Sequence, residues 1–192
     1  ARLHPRDRRM DSTVIVRRED GSSDTWACRD IALGEILTRE RRSPLGEAYL
    51  LWSDFVHPSM MLDSAPAAVE EADGSGIALA GVFRLDCERR NPFNFRIALP
   101  GRPHPGIRIG DIAPDHMRRV LARDMSYAKG CRVPVYQHIR QRVGGVSREC
   151  FRLLLPVLGA AGHVSEIYGF CRPAAAARDA GSEICPRLRP GA

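Results

Sequence analysis

The sequence is almost without lysine. Of its 29 basic residues, 28 are arginines and one is Lys129. The formal charge is +6. Yet the doublets Arg8-Arg9, Arg17-Arg18, Arg41-Arg42, Arg89-Arg90 and Arg118-Arg119 are scattered along the chain. No single basic tract forms, so the charge reads as solvated faces and nucleic acid is not the expected partner. There is no run of ~18 apolar residues and no apolar leader region, which excludes a membrane span and points to a cytoplasmic setting. The six cysteines contain no CxxC pair and mostly sit in apolar runs, where a free thiol packs as a small hydrophobe. Disulfides are not expected in a reducing compartment. Catalytic signatures are missing too: there is no GxSxG, HxH or HExxH, and the six histidines stand singly. Cys150 and His138 fall on neighbouring expected strands, a placement read as accident and not as catalysis. The chain is expected not to be an enzyme.

What is present suits a globular α+β protein. A chain of 192 residues that is 44% hydrophobic can bury one core, with appended segments. The run "STVIVRRED" (Ser12–Asp20) reads as a strand, Asp20-Gly21 as a turn, and "DTWACRDIAL" (Asp24–Leu33) as the hairpin partner. Leu45–Val56 carries an apolar face with Trp52 and reads as a helix, begun by Ser43 or Pro44 and stopped by Pro58. Ile77–Arg89 and Asn91–Leu99 read as strands, and Pro100–Asp111 as a loop. Ala113–Gly130 is the clearest helix, with the stripe Met117, Leu121, Met125 and Ala128, and with Gly130 expected just past its end. Three strands follow as a meander: Arg132–Val143, Ser147–Leu158 and His163–Cys171, turned by Gly144-Gly145 and Gly159–Gly162. Alternation puts Phe151, Leu153, Leu155 and Val157 on one face and leaves Arg152 exposed.

The order strand, strand, loop, helix and three strands resembles that of the PAS fold. Leu45–Pro173 resembles the PAS-like domains common in alphaproteobacteria, often found as stand-alone proteins. Trp52, "FRLD" (Phe83–Asp86), "FNFRIA" (Phe93–Ala98), "GIRIGDIAPD" (Gly106–Asp115) and "FRLLLPVLGAAGHV" (Phe151–Val164) carry the resemblance. Leu99-Pro100-Gly101 departs from it, where the family has a glycine directly after the second strand. The resemblance implies an α+β, five-stranded antiparallel sheet with helices on one face, with an N-terminal hairpin and helix attached. The corresponding division is an arm and hairpin (1–44), a PAS-like domain (45–173) and a flexible tail (174–192).

By the same resemblance the chain is a non-catalytic sensory or interaction module of bacterial signal transduction. Its ligand would lie in a cleft between sheet and helices, and flanking helices would support a homodimer. Candidate lining residues are Phe95, Arg96, His116, Met117, Leu121, Tyr136 and Tyr168. Some domains of this kind hold haem through a helix histidine; His116 occupies that place, but a polar residue in a first helical turn is read as facing solvent. No cofactor is assigned. The expected partners are a second copy, a small molecule and a signalling protein. Two other classes stay open: a small-molecule enzyme of another α+β fold, and an Arg-rich nucleic-acid-associated regulator.

Overall fold

The computed structural model describes residues 10–17, 19–54, 81–98, 106–112 and 115–174. The Arg-rich lead, the expected helix end at Val56 with Pro58, the stretch 60–76, the first half of the loop after Leu99, Pro114 and the tail from 175 lie outside the described residues.

The chain builds strands β1 (Asp11–Arg17), β2 (Ser23–Ile31), β3 (Gly81–Asp86), β4 (Arg96–Ala98), β5 (Ile107–Arg108), β6 (Val135–Val143), β7 (Val146–Leu158) and β8 (Val164–Pro173). Among the described residues three helices accompany them: α1 (Ile36–Arg39), α2 (Pro44–Asp54) and α3 (Asp115–Cys131). All eight strands form one sheet in the order β1-β2-β6-β7-β8-β3-β4-β5, and every pairing is antiparallel.

This corrects the expected five-stranded sheet. The N-terminal hairpin is not a separate flank. β2 pairs with β6 from Thr25↔Arg142 to Ile31↔Tyr136, and β5 adds a further strand beside β4. Backbone polarity supplies the reason. Without β2, the outer side of β6 would leave a row of N–H and C=O groups unpaired.

The helices also lie on both faces, not one. Along β7 the odd residues Phe151, Leu153 and Leu155 pack with Leu45 and Ala48 of α2, while Cys150 and Leu154 pack with α3. The run Leu153-Leu154-Leu155 is buried throughout for this reason. On α3, Met117, Val120, Leu121, Met125 and Ala128 form the stripe that meets the sheet. Each large side chain so buried contributes about 1.5–3 kcal/mol.

Local chemistry sets the element ends. Gly144 and Gly145 both have positive φ (57° and 82°), which a two-residue hairpin between β6 and β7 requires. Ser43 caps α2: its Oγ accepts from Leu45 N at 3.2 Å, with Pro44 in the first turn. Helix α3 runs one residue beyond Gly130, and the left-handed position falls on Arg132 (φ 57°) instead of the glycine. Pro156 lies beyond the last β6 partner, Val135↔Leu154, so its missing N–H breaks no bond to that strand. Its carbonyl accepts from Trp52 Nε1 at 2.9 Å, pinning α2 to β7.

A polar clamp fastens α1 and α2 to the sheet. Glu40, 2% exposed, accepts from Arg172 Nε (2.9 Å), Tyr136 OH (2.9 Å) and Ser43 Oγ (2.6 Å). Burial works to raise the Glu40 carboxyl, but these bonds outweigh it and hold the group below its ordinary 4.5. Among the described residues, no helix is long and apolar enough to cross a membrane.

Two predictions follow from this packing. A Cβ at Gly169 would lie 2.0 Å from Phe83 Cζ, its cross-strand neighbour. Gly169→Ala should lower stability in urea unfolding by about 1–3 kcal/mol, and adding Phe83→Leu should make the two costs sub-additive. Because the folded Glu40 carboxyl is depressed, its contribution is present above pH 4.5 and lost as pH falls through the folded value. Melting temperature against pH should therefore drop less steeply on the acid side in Glu40→Gln than in the wild type.

Candidate ligand site

The α3-facing side of the sheet is organised in cross-strand rows. One row runs from Met10 through Asp30, Gln137 and Arg152 to Cys171. It holds a buried polar chain. Arg152, fully buried, donates from Nη2 to Asp124 Oδ2 (2.9 Å) and from Nε to Gln137 Oε1 (3.0 Å). Gln137 Nε2 donates to Asp30 Oδ1 (3.0 Å), and Tyr127 OH and Met10 N both donate to Asp30 Oδ2. Asp124 also accepts from Arg123 Nε (3.1 Å), so the chain reaches the surface along α3. Burial opposes the charge on Arg152, but Asp124 overcomes it and keeps the guanidinium ionised. Burial and the bond to Asp30 push the Tyr127 hydroxyl up.

The next rows carry Ser12 with Cys28 and Ile139, then Val14 with Trp26 and Gln141, then Val16 with Asp24. Above them, between β1 and the first turns of α3, opens a groove of about 650 Å³. It is lined by Val14, Val16 and Val120 and rimmed by Asp115, His116, Arg119 and Arg123. That volume is ordinary for a small-molecule site, ~300–1,000 Å³. Arg119 Nη2 reaches Asp115 at 2.5 Å and keeps most of its side chain in solvent. His116 Nε2 stands 3.6 Å from Asp24 Oδ2, while Asp24 Oδ1 accepts from Gly144 N at 3.0 Å.

Several buried polar atoms in this region find no hydrogen-bond partner among the described residues: Ser12 Oγ, Trp26 Nε1, His116 Nε2, Gln141 Oε1 and Arg152 Nη1. Such atoms are rare because each costs about 1–3 kcal/mol. Here all five lie on the α3 side of the sheet; of them His116 lines the groove, and Ser12 stands on β1, the strand that walls it. Both donors and acceptors are represented.

The structure brings together only part of the sequence-expected set: Phe95, Met117 and Leu121 share one core with His116 beside them, while Arg96, Tyr136 and Tyr168 lie elsewhere. His116 lies at the groove, tucked against Asp24 with its side chain 20% exposed, not facing solvent. Met117 and Leu121 are buried in the core beside it, Met117 Sδ accepting from Gln141 Nε2 at 3.5 Å. Phe95 belongs to the same core, beneath Lys129 Nζ. Arg96 is exposed on β4 and donates from Nη1 to Gly106 O at 3.5 Å. Tyr136 and Tyr168 pack on the opposite face, with α1 and α2. Arg152, expected in solvent, is fully buried. Sequence reasoning missed Arg119 and Arg123 at the rim. The signal for the two arginines was their i, i+4 spacing on the helix that carries His116.

Cys150 and His138 point to opposite faces; His138 stacks on Phe151 and pairs with Glu149. Burial pushes the Cys28 and Cys87 thiols up to about 12, which keeps them protonated and poor nucleophiles at neutral pH. Cys150 moves the other way, first through its bond from Cys171 and against burial. Among the described residues, no group of three or more His, Cys, Asp or Glu is placed to hold a metal ion. No family model matches the chain, and no curated protein matches it in sequence.

Removing one partner of the buried chain should be costly. Asp124→Ala leaves Arg152 charged without its counterion and should lose about 3–5 kcal/mol in urea unfolding. Arg152→Met combined with Asp124→Leu should lose less than Asp124→Ala alone.

Proposed function

We propose that this chain is a non-catalytic sensory or interaction module of bacterial signalling, working in the cytoplasm, whose ligand seats in the groove between β1 and α3. One observation carries the reading: a valine-walled groove of about 650 Å³ is rimmed by Asp115, His116, Arg119 and Arg123, and His116 Nε2 finds no hydrogen-bond partner there among the described residues. Three valines suit an apolar body. Two arginines against one aspartate leave the rim net basic, which suits an anionic head, because guanidinium groups bind carboxylates through charge-assisted hydrogen bonds. The ligand class is therefore a small amphipathic carboxylate. The resemblance of Leu45–Pro173 to PAS-like sensory domains supports a sensing role.

Intrinsic fluorescence tests this. Trp26 is buried next to Val14, so a Trp52→Phe background isolates its signal. Octanoate should change that signal saturably, and 1-octanol should bind about ten- to a hundredfold more weakly, since one charge-assisted bond is worth ~1.5–3 kcal/mol. Arg119→Ala should weaken octanoate and leave octanol unchanged. An octanoate response that never saturates, or equal affinity for acid and alcohol, rejects the reading.

A further inference from the structure

Strand β1 forms one end of the sheet, and among the described residues its outer side pairs with no other strand. Asp30 N donates to Met10 O at 2.8 Å, in line with the β1–β2 register. In an antiparallel ladder the backbone groups of alternate residues point to opposite sides. Met10, Ser12, Val14 and Val16 therefore direct theirs toward β2, and Asp11, Thr13, Ile15 and Arg17 direct theirs outward. An open edge is a template for another strand unless something blunts it. The middle of β1 is not blunted: its charges, Asp11 and Arg17, stand at its two ends, it contains no proline, its ladder with β2 is continuous from Asp11↔Arg29 to Arg17↔Ser23, and Ile15 is 63% exposed at its middle.

The sequence of the edge selects its occupant. Read outward from Val14, "DSTVIVR" is self-complementary when laid against itself in the antiparallel sense. Val14 then meets Val14 of a second copy, Thr13 meets Ile15, Ser12 meets Val16, and Asp11 meets Arg17. The opposite charges fall together at both ends, on the face away from α3. The outward-directed residues are the ones that such a register pairs: Thr13 with Ile15, and Asp11 with Arg17, each pair exchanging two backbone hydrogen bonds. Shifting by two residues keeps the faces but separates the charges.

We propose that two copies of this chain pair through β1, antiparallel and centred on Val14, to form one continuous sheet across a two-fold axis. A two-fold axis makes the interface isologous: the same patch serves both partners, and the Asp11–Arg17 pair occurs twice. Opposite charges directly across a strand pair are favourable and like charges are not. Ile15 of each copy gains an apolar neighbour and the Thr13 methyl opposite it. This surface is independent of ligand binding, although Val14 and Val16 of the same strand wall the groove on the other face.

Charge reversal separates this register from any other dimer. Sedimentation velocity across ~1–100 μM should show a concentration-dependent dimer for the wild type. Asp11→Arg alone and Arg17→Asp alone each place like charges opposite one another twice, and each should weaken the dimer by about tenfold or more. An equimolar mixture of these two variants should recover it, because each Arg then faces an Asp. Ile15→Pro removes an outward N–H without touching the β1–β2 ladder, so it should abolish the dimer while leaving the circular dichroism spectrum unchanged. A wild-type monomer at 100 μM overturns the proposal. So does a dimer that survives Ile15→Pro in a folded protein, or charge variants that fail to recover on mixing. Octanoate titration of the Ile15→Pro variant reports on the groove separately, so failure of the dimer and failure of ligand binding are distinguished.

Discussion

A guanidinium without access to solvent needs its charge met from within, and Arg152 stands in the middle of the sheet under that constraint. Asp124 supplies the counter-charge from α3, and Gln137 supplies an acceptor from β6. The arrangement fixes more than one contact. It sets the rotation of α3 about its axis, because Asp124 has to face the sheet while the apolar stripe packs beside it. It also ties β6 to β2, because the amide of Gln137 spends its other end on Asp30. A buried charge of this kind adds little net stability, but it penalises every packing that leaves it unmet. The row from Met10 to Arg152 therefore acts as a registration mark across four strands.

The opposite face is held by a smaller device with the same logic. Glu40 sits at the turn between α1 and α2, and Arg172 and Tyr136 reach it from β8 and β6. A Cβ at Gly46 would approach Glu40 O to 2.1 Å, so the absence of a side chain there lets α2 close onto that turn. Each face of the sheet thus has one ionic anchor set in apolar packing. Between them, β7 and β8 are covered on both sides, which is unusual demand on an antiparallel pair. The groove lies at the hairpin end of the sheet.

Parts of this were legible in the chain. The meander strands announced themselves by alternation and by glycines at their turns, and the stripe from Met117 to Ala128 marked α3. Arg152 was misplaced for a physical reason. Period-two alternation sorts buried from exposed only when one face is wet, and here both faces of β7 are dry. Tyr136 and Tyr168 were grouped with Met117 and Leu121 because local pattern does not say which helix covers which face. The sheet's true width was hidden because Asp30 and Gln137 are 107 residues apart, and such a pairing leaves no local trace. Arg119 and Arg123 read as solvated charges until β1 was seen to lie beside them.

The separation of β2 from β6 also orders events in time. At ~5–20 residues per second, a ribosome takes on the order of ten seconds to supply β6 after it has made β2. Hairpins close in microseconds. The first two strands therefore form long before the strand that will receive them, with Trp26 and Cys28 uncovered meanwhile. On a crowded message, neighbouring chains expose the same hairpin at the same moment. Accepting the hairpin of a neighbour in place of one's own would satisfy every bond along β6 equally well, so the fold carries a standing route to strand exchange during synthesis.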